Sequence, residues 1–258
     1  VNFKDYGSQS SRTRTLVIGV RKDLTNISPY QLFPKKQKSK SLKELIGHIP
    51  SLNTMGEISE NDIYHSYRKF DLRMLPWIEK LKEGESAFDN KEINRIPHQI
   101  INGEIVFNKN KNGDKYKRWY WDRESPCIHT RNDILASQNT IHPSDNRVFS
   151  IRELMLMMTI PDTFKWSELD FDTLNNISLT EKRKYLKEEE LNIRHCIGES
   201  VPTIILSTIA KNIKKALNHK QLSTNDINKV IEENNLLEKE SLKKFLIKNL
   251  LKHDLNSL

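Results

Sequence analysis

Residues 147–164 read RVFSIRELMLMMTIPDTF, and this stretch carries the clearest local folding information in the chain. Ser150 and Glu153 have the spacing of a capping box, in which two side chains satisfy free backbone N–H groups at a helix start. An apolar run of leucine and methionine follows, and Pro161 cannot continue a helix because it lacks an N–H. The sequence therefore predicts a short helix from residue 151 that packs into the core. Core packing explains its methionines better than a soft binding face does.

Upstream of this stretch, a second capping box and an aromatic segment predict further helices. Ser41 and Glu44 have the same serine-to-glutamate spacing, and the helix that follows should stop near Gly47. In residues 63–81 the apolar and aromatic positions recur mainly at helical spacing, with a break at Pro76. These aromatics are expected in the core.

Downstream, the pattern is helical almost to the end of the chain. Residues 167–190 form a charged helical stretch, and residues 198–202 should begin another helix, with Ser200 as its cap. The Asn- and Lys-rich tail reads as two short amphipathic helices, around residues 227–231 and 242–251.

Three segments predict strands. Residues 15–20 form a short apolar run with β-branched residues and a glycine, which is typical of a buried strand. Residues 101–107 alternate around Asn102 and Gly103, a signal for a two-residue hairpin turn. The aromatic residues 119–121 are expected to form a further strand.

Composition excludes several classes of protein. The 258 residues carry 42 Lys and Arg against 34 Asp and Glu, a net charge of +8 that favours a polyanionic partner without identifying one. Two cysteines exclude a disulfide framework and suit a reducing compartment. The eight glycines contain no pair closer than nine positions, which excludes a Rossmann fingerprint and a P-loop. No metal site is expected from the scattered histidines, and no apolar run approaches the roughly 20 residues of a membrane span.

Three blocks of sequence stand out in chain order. Residues 6–14 read YGSQSSRTR. Residues 125–128 read SPCI, and His142-Pro143 and the stretch 147–164 follow them. Residues 197–202 read IGESVP. Together they resemble the Q-x-R-x-R, SPTI…HP…R-x-x-T-x-R-E…PD-x-F and G-N-x-V-P blocks of DNA cytosine-5 methyltransferases. The resemblance extends from residue 1 to about residue 217.

This resemblance implies an α/β fold, which in this chain would be α+β. It would comprise the edge of a Rossmann-like sheet that uses S-adenosylmethionine, a small mixed target-recognition domain and a helical C-terminal tail. The resemblance implies a strand with active-site arginines at residues 1–24, followed by a recognition domain at residues 25–190 that contains a hinge block at 142–166. A closing helix at residues 191–217 and the tail at residues 218–258 complete the implied division.

The resemblance also assigns catalytic and cofactor roles. Arg14 is expected to hydrogen bond O2 of a flipped cytosine, and Arg12 to order a phosphate or the nucleophile loop. On spacing alone, two arginines at this separation also fit a solvated basic edge. Gly198, Ser200 and Val201 are expected near the carboxylate of S-adenosylmethionine, because a helix N-terminus attracts anions.

Other residues are assigned to the hinge and to double-stranded DNA. Arg147, Arg152 and Glu153 are expected to hold the base of the recognition domain through ion pairing and helix capping. The expected phosphate contacts, which position a protein without specifying a sequence, are Lys109, Lys111, Lys115, Lys117 and Arg118. The expected contacts to base edges are Asn112, Arg123 and Arg131. A lysine-rich hairpin tip without a ligand remains the alternative for this basic segment.

The departures from the family pattern are equally informative. The cofactor-binding glycine turn, the Pro-Cys-Gln nucleophile block and the Glu-Asn-Val block have no counterpart in the sequence. Cys127 follows a proline but matches the threonine of the SPTI block, so it is interpreted as a packing residue. The nucleophile and the cofactor turn should therefore come from an N-terminal methyltransferase portion or subunit. The chain would then be one subunit of a split enzyme, the downstream half of a frameshifted gene or a truncated sequence, and alone it should be inactive.

Other functions compete with this interpretation. The chain could be a non-catalytic DNA-binding or specificity protein that needs no partner, or a decayed methyltransferase. Pro161-Asp162 resembles part of a nuclease motif, but no spaced E-x-K follows it. If the chain acts on DNA by any of these functions, it is expected in the cytoplasm, at the nucleoid.

Overall fold

A computed structural model of the chain describes residues 1–24, 27–107, 112–218 and 224–233. The α-helices in these residues are α1 (Leu42–Ile46), α2 (Leu75–Ile78), α3 (Ile151–Met157), α4 (Phe171–Asn176), α5 (Leu179–Glu199), α6 (Thr203–Asn218) and α7 (Thr224–Glu233). The strands are β1 (Ile58–Ser59), β2 (Asp62–Ser66), β3 (His98–Ile101) and β4 (Glu104–Phe107). Short 3-10 helices lie at Phe3–Asp5, Pro29–Leu32, Leu72–Met74, Ala87–Asp89 and Ile93–Arg95.

The chain divides into two compact units. Unit 1 consists of residues 1–14 and 37–205, and unit 2 consists of residues 15–36 and the described residues from 206 onwards. Within the described residues the strands form two antiparallel pairs, β1 with β2 and β3 with β4. The fold is therefore mixed, with irregular segments joining small sheets and helices. None of the described helices is both long enough and apolar enough to cross a membrane.

Helix α3 begins where the capping box predicts, and its residues form part of the larger hydrophobic cluster. The Ser150 side chain accepts a hydrogen bond from the Glu153 N–H, and the Glu153 side chain accepts one from the Ser150 N–H. Met155, Met157 and Met158 are fully buried and pack with residues of α1, β2 and α5. The prediction of a core role for these methionines is confirmed.

The hairpin prediction at Asn102-Gly103 is confirmed as well. Both residues have positive φ angles, 53° and 82°, which match the twist of a two-residue hairpin turn. The register pairs His98 with Phe107 and Ile101 with Glu104. The predicted helix after Ser41 is also present as α1, and Gly47 is its C-cap.

The helical interpretation of residues 63–81 is wrong for its first part, which forms β2. The last four residues of this strand are buried consecutively, because both of its faces are covered. Tyr64 stacks on Phe171 with 5.9 Å between ring centroids, and His65 hydrogen bonds Ser150 on α3. Continuous burial removes the alternation that identifies a strand in sequence.

The strand predicted at residues 15–20 is not formed. A strand needs a neighbour that accepts and donates its backbone hydrogen bonds, and in the described part of the chain no segment pairs with these residues. The Val17 side chain is 85% exposed, and Leu16, Ile18 and Val20 are half-buried, so the run that was expected to be buried lies partly in solvent.

The aromatic strand predicted at residues 119–121 is also absent. The indole N–H of Trp119 donates to the Glu124 carbonyl at 2.9 Å, and that of Trp121 donates to the Ser144 hydroxyl at 2.8 Å. These side-chain bonds hold the segment in an irregular path. Isolated β-bridges lie just before it, at Lys115, Lys117 and Arg118.

Helix α5 extends the predicted charged helical stretch to Glu199. The domain boundary expected at residue 190 lies inside this helix. Ser200 ends α5, since its N–H donates to the Cys196 carbonyl and its hydroxyl donates to the Ile197 carbonyl, so its predicted role as N-cap of the next helix is wrong. The tail helix expected around 227–231 is present as α7, whereas that expected at 242–251 lies outside the described residues.

Candidate active site and nucleic-acid interface

Arg12 joins the three sequence blocks inside unit 1. Its guanidinium is buried, and Nη1 donates to the carbonyl oxygens of Ile128 at 3.2 Å and Gly198 at 2.9 Å. Burial lowers the pKa of Arg12, and the nearby charge of Arg14 lowers it further. The side chain therefore acts as a cross-link between the first, second and last blocks, and its burial removes it from direct phosphate contact.

Arg14 has the opposite environment. Its side chain is exposed, and the only hydrogen bond of its guanidinium within the described residues runs from Nη1 to the Thr13 carbonyl at 2.7 Å. Burial lowers the pKa of the neighbouring His129, and Arg12 and Arg14 lower it further. Two arginines beside a neutral histidine give this part of the surface a positive potential that suits an electron-rich ligand.

Gly198 is buried where helix α5 approaches the second block. A Cβ at this position would lie 2.5 Å from the carbonyl oxygen of His129 and 2.5 Å from the Thr130 backbone. The absence of a side chain is thus explained by close packing between a helix and a loop. The structure brings the Gly198 carbonyl to Arg12 and places Gly198 below the surface.

The N-terminus of α6 does not offer the free donors that were expected for a cofactor carboxylate. The Thr203 N–H donates to the Met158 carbonyl, and the Ile204 N–H donates to the Thr159 hydroxyl. The next N–H, of Ile205, donates to the Pro202 carbonyl. The donors of the first turn are therefore occupied, and this ground for an anion site is removed.

The remaining residues of the last block do not form a cofactor pocket by themselves. The Ser200 hydroxyl is bonded to Ile197, while Val201 is partly exposed and its N–H has no partner within the described residues. Gly198, Ser200 and Val201 thus keep a predicted cofactor role only as one wall of a site. Among the described residues, no group of three His, Cys, Asp or Glu side chains is placed to hold a metal ion.

The predicted hinge block contains a fully buried ion pair. Arg147 donates from Nη1 and Nη2 to the two carboxylate oxygens of Glu153, both at 2.8 Å, and both side chains are 1% exposed. Arg147 also donates to Asp145 at 2.9 Å. Glu153 in turn caps α3, so a single carboxylate fixes the helix start and the preceding loop. These contacts are those expected of a residue that supports a domain base.

His142 lies against the same cluster as a neutral imidazole. Its Nδ1 accepts from the N–H groups of Ser144 and Asp145, so the proton resides on Nε2. Burial lowers the pKa of His142 to about 4. Burial acts in the opposite direction on Glu153, but Arg147 outweighs it and lowers the pKa of that carboxyl to about 2. The contacts of the hinge block are therefore most favourable at neutral pH, and protonation of His142 and Glu153 in acid should weaken them.

Arg152 ties α3 to two other segments. Its guanidinium donates to Asp62 on β2 at 2.5 Å and to Asp162 at 2.7 Å, and it lies 5.0 Å from the Phe171 ring centroid. In the Pro161-Asp162 pair, which resembles part of a nuclease motif, the carboxylate of Asp162 thus accepts a hydrogen bond from Arg152.

Arg118 is removed from the predicted phosphate contacts. It is 3% exposed, and its terminal nitrogens donate to the carbonyl oxygens of Ile78, His142 and Asp145 and to the side chain of Asn146. Four acceptors around one guanidinium make this arginine a structural centre. The prediction failed because the sequence around it is basic, and composition does not separate a buried arginine from an exposed one.

The other predicted DNA contacts are at or near the surface. Lys115 and Asn112 are half-buried, and Lys117 makes an ion pair with Asp114 at 3.5 Å. Arg123 is exposed and stacks 3.8 Å above the Tyr120 ring. Arg131 is exposed and pairs with Asp133, whereas Lys109 and Lys111 lie outside the described residues.

Sequence reasoning missed Asp145 and Asn146, although both hold the buried arginines of the hinge block. Their positions between His142-Pro143 and Arg147 are the available signal, since Asp and Asn side chains in a turn often form hydrogen bonds to nearby backbone groups. It also missed Trp77, His98 and Tyr116, whose rings meet around a cavity described below.

Comparison with known proteins assigns most of the chain to one family. The family model described as C-5 cytosine-specific DNA methylase matches residues 1–215. The chain belongs to this family.

Curated relatives extend well beyond the matched region. The chain is 29% identical over 219 residues to the type II methyltransferase M1.HgaI of Avibacterium volantium, an alignment that covers 81% of this chain and 52% of that protein. It is 23% identical over 220 residues to the type II methylase M.HgiDII of Herpetosiphon aurantiacus, covering 84% and 54%. It is 25% identical over 221 residues to the type II methyltransferase M1.HphI of Haemophilus parahaemolyticus, covering 83% and 46%. The chain spans about half the length of the curated relatives it matches.

Proposed function

We propose that this chain is the target-recognition and closing portion of a DNA cytosine-5 methyltransferase of a restriction–modification system, acting at the nucleoid in the cytoplasm. The assembled enzyme would transfer a methyl group from S-adenosylmethionine to C5 of cytosine in duplex DNA. A separate N-terminal portion would supply the cysteine nucleophile and the glycine-rich cofactor turn, because this sequence contains neither. The observation that carries the proposal is the family match over residues 1–215, with the three blocks joined at Arg12.

Arg14 is the residue of this chain proposed to contact the reacting base. Attack at C6 of cytosine places negative charge on the ring, and a fixed cationic donor stabilises that charge. An arginine presents several donors in a rigid plane and stays charged at any working pH. Arg14 is exposed, and its guanidinium makes one hydrogen bond within the described residues, so its remaining guanidinium donors are available to a base that has left the helix.

DNA binding is proposed for the recognition segment, residues 25–190. Lys115 and Lys117 would contact phosphates together with Lys109 and Lys111, while Asn112, Arg123 and Arg131 would contact base edges. The stack of Arg123 on Tyr120 leaves the guanidinium edge exposed. Binding that rests on phosphates should weaken steeply with salt, by roughly one power of salt concentration for each phosphate neutralised.

Unit 2 offers a surface for the missing portion. Gly19, Val20, Leu24 and Leu32 line an open groove of about 250 Å³ with residues of α6, and Val17 nearby in the sequence is 85% exposed. On α6 itself Leu206 and Leu217 are more than half exposed. An unpaired β-prone run beside an apolar helix face is the edge expected of a sheet whose other strands belong to another polypeptide. We assign this surface to the N-terminal portion.

A co-expression experiment tests the proposal. The chain is produced together with the polypeptide encoded by the reading frame next upstream, provided that this polypeptide carries the glycine turn and the Pro-Cys-Gln block. The transfer of tritiated methyl groups to DNA is then measured. Transfer should require both polypeptides. Arg14→Ala should abolish transfer while leaving DNA affinity within a few-fold.

Arg183→Ala is the matched control, because Arg183 is another exposed arginine and lies on α5, outside the three blocks and outside the groove of unit 2. It should retain transfer. Full activity of Arg14→Ala would refute the role of Arg14, and absence of transfer by any combination of the two portions would refute the methyltransferase assignment.

A non-catalytic DNA-binding protein is the second candidate. The occupied donors at the start of α6 favour it, because they leave no complete cofactor site in the described residues. Such a protein would be monodisperse alone and would not associate with the N-terminal portion. Size-exclusion chromatography with light scattering therefore separates the two functions.

A further inference from the structure

A cavity outside the three family blocks and the hinge block lies between residues 71–77, strand β3 and Tyr116. Its volume is about 380 Å³, within the range of about 300–1,000 Å³ found for small-molecule sites. None of its lining residues belongs to the three family blocks.

Aromatic rings form the interior of this cavity. The ring centroids of Trp77 and His98 are 5.3 Å apart, and those of Trp77 and Tyr116 are 5.7 Å apart at an interplanar angle of 86°. Phe88 supports Tyr116 from behind, with 5.8 Å between centroids. Rings that meet at steep angles leave faces open on which a further planar group can stack.

Polar groups that lack a hydrogen-bond partner within the described residues lie around these rings. Within the described residues, the Gln99 side-chain amide and the Tyr116 hydroxyl make no hydrogen bond, although both residues line the cavity. The His98 Nδ1 lies 2.8 Å from the Ile96 carbonyl and must donate to it, which leaves Nε2 as an acceptor. Arg73 holds Asp71 through Nε and Nη2, so its Nη1 is unused there.

Tyr116 is held in an unfavourable backbone conformation. Its φ is +49°, which is unusual for a bulky residue and strains the backbone. Its N–H donates to Leu135 and its carbonyl accepts from Ala87, so the surrounding loops impose the conformation. Such strain is concentrated at ligand-binding sites, and here it fixes an aromatic ring at the cavity wall.

We propose that this cavity binds one nucleobase of the DNA that has left the base stack, with its faces against the aromatic rings and its edge at Gln99. A planar ring bordered by alternating donors and acceptors is the ligand that these groups match. A glutamine amide pairs bidentately with adenine, which makes adenine the favoured base. The inference rests on the proposed DNA binding by residues 25–190, since the cavity lies within that segment.

Duplexes with and without an unpaired base test this inference. The full chain is titrated, by fluorescence anisotropy, with a labelled paired duplex and with the same duplex carrying one bulged adenine. The bulge removes the cost of unpairing, so the chain should prefer it by roughly tenfold, the order of magnitude that base–aromatic stacking supplies. Gln99→Ala and Tyr116→Asn should lose this preference and keep their affinity for the paired duplex.

Two features keep the variants interpretable. Gln99 is exposed, so its truncation does not threaten folding, and asparagine tolerates positive φ better than tyrosine, so Tyr116→Asn relieves strain while it removes the ring. Ile101→Ala is the matched control, since Ile101 is exposed on the same strand but does not line the cavity. It should retain the preference.

The outcomes separate the two proposals. Equal affinity for both duplexes, or a preference that survives both variants, would overturn the base pocket and leave DNA binding intact. Failure to bind the paired duplex even at low salt would overturn the proposed DNA binding and the pocket with it. Binding of free deoxyadenosine monophosphate as tight as that of the bulged duplex would show that the ligand is a free nucleotide and would overturn the DNA base as its source.

Discussion

At the scale of single residues, the Arg147–Glu153 pair concentrates the stability of the hinge block. Both side chains are 1% exposed and have lost their water, so each charge needs a partner. Arg147 also pairs with the buried side chain of Asp145 at 2.8 Å, whereas within the described residues Arg147 is the cationic partner at hydrogen-bond distance of the Glu153 carboxylate. The family resemblance pointed to these residues, but the sequence did not show that one glutamate both caps α3 and neutralises the arginine.

Glu153→Gln tests this double role. The amide still accepts a hydrogen bond at the helix start, but it leaves the buried Arg147 with Asp145 as its charged partner, so the free energy of unfolding should fall by about 1–3 kcal/mol in urea titrations. Glu181→Gln is the matched control, because Glu181 caps α5 in the same way but is exposed, and it should change stability little. A loss of methyl transfer by Glu153→Gln at unchanged stability would contradict a structural role.

His142 should make the fold sensitive to mild acid. Its pKa is lowered to about 4 in the folded chain, against about 6.5 in an unfolded one, so the unfolded state binds the extra proton between these values. Stability contributed by neutral His142 is complete above pH 6.5 and is lost as the pH falls towards 4, by up to about 1.4 kcal/mol per pH unit. Glu153 adds a loss in the same direction below its unfolded pKa, as the pH falls towards 2.

A urea titration series from pH 7.5 to 5 measures this effect. His142→Asn should flatten the pH dependence, because the asparagine oxygen can accept the N–H groups of Ser144 and Asp145 without titrating. An unchanged slope in this variant would assign the sensitivity to another group.

At the scale of elements, the sequence predicts those features whose cause is local. The capping boxes at Ser41 and Ser150 and the Asn102-Gly103 turn are all formed, because each depends on side chains and backbone within a few residues. Strands depend on partners far along the chain. Strand β2 was missed because both its faces are covered, and residues 15–20 lack a partner in the described chain.

The same limit applies to the candidate site. The sequence and the resemblance identified Arg12, Arg14 and Gly198, and the structure places Arg12 on Gly198. They did not reveal that Arg118 is buried or that Thr159 occupies a donor at the start of α6, because both facts depend on how distant loops pack. The cavity at Tyr116 likewise has no signature in sequence.

Gly198→Ala tests how α5 is docked. A methyl group 2.5 Å from the backbone of residues 129–130 must push helix and loop apart, so unfolding free energy should fall by about 1–3 kcal/mol. Displacement of the Gly198 carbonyl should also weaken its bond to Arg12. Gly113→Ala is the matched control, since nothing lies within 4 Å of a Cβ there. Equal stability of the two variants would show that the helix and loop can separate without cost.

At the scale of the whole molecule, the proposed N-terminal portion would account for both the exposed groove of unit 2 and the incomplete cofactor wall of unit 1. Each is half of a structure whose other half is expected in the N-terminal portion, and the chain spans about half the length of its relatives. A polypeptide that lacks the glycine turn and has no free donors in the first turn of α6 should have little affinity for S-adenosylmethionine.

Calorimetry of S-adenosylmethionine binding therefore measures the completeness of the site. The chain alone should give no measurable heat, whereas the co-purified assembly should bind the cofactor at one site.

Val17→Asp should prevent co-purification, because a carboxylate on an apolar run that is unpaired in the described residues would be desolvated when the N-terminal portion docks. Thr13→Asp is the matched control: it places the same charge on an exposed residue four positions earlier, outside the apolar run, and should co-purify normally. Tight binding of the cofactor by the isolated chain would contradict the division of the site between two polypeptides, and normal assembly of Val17→Asp would place the docking surface elsewhere.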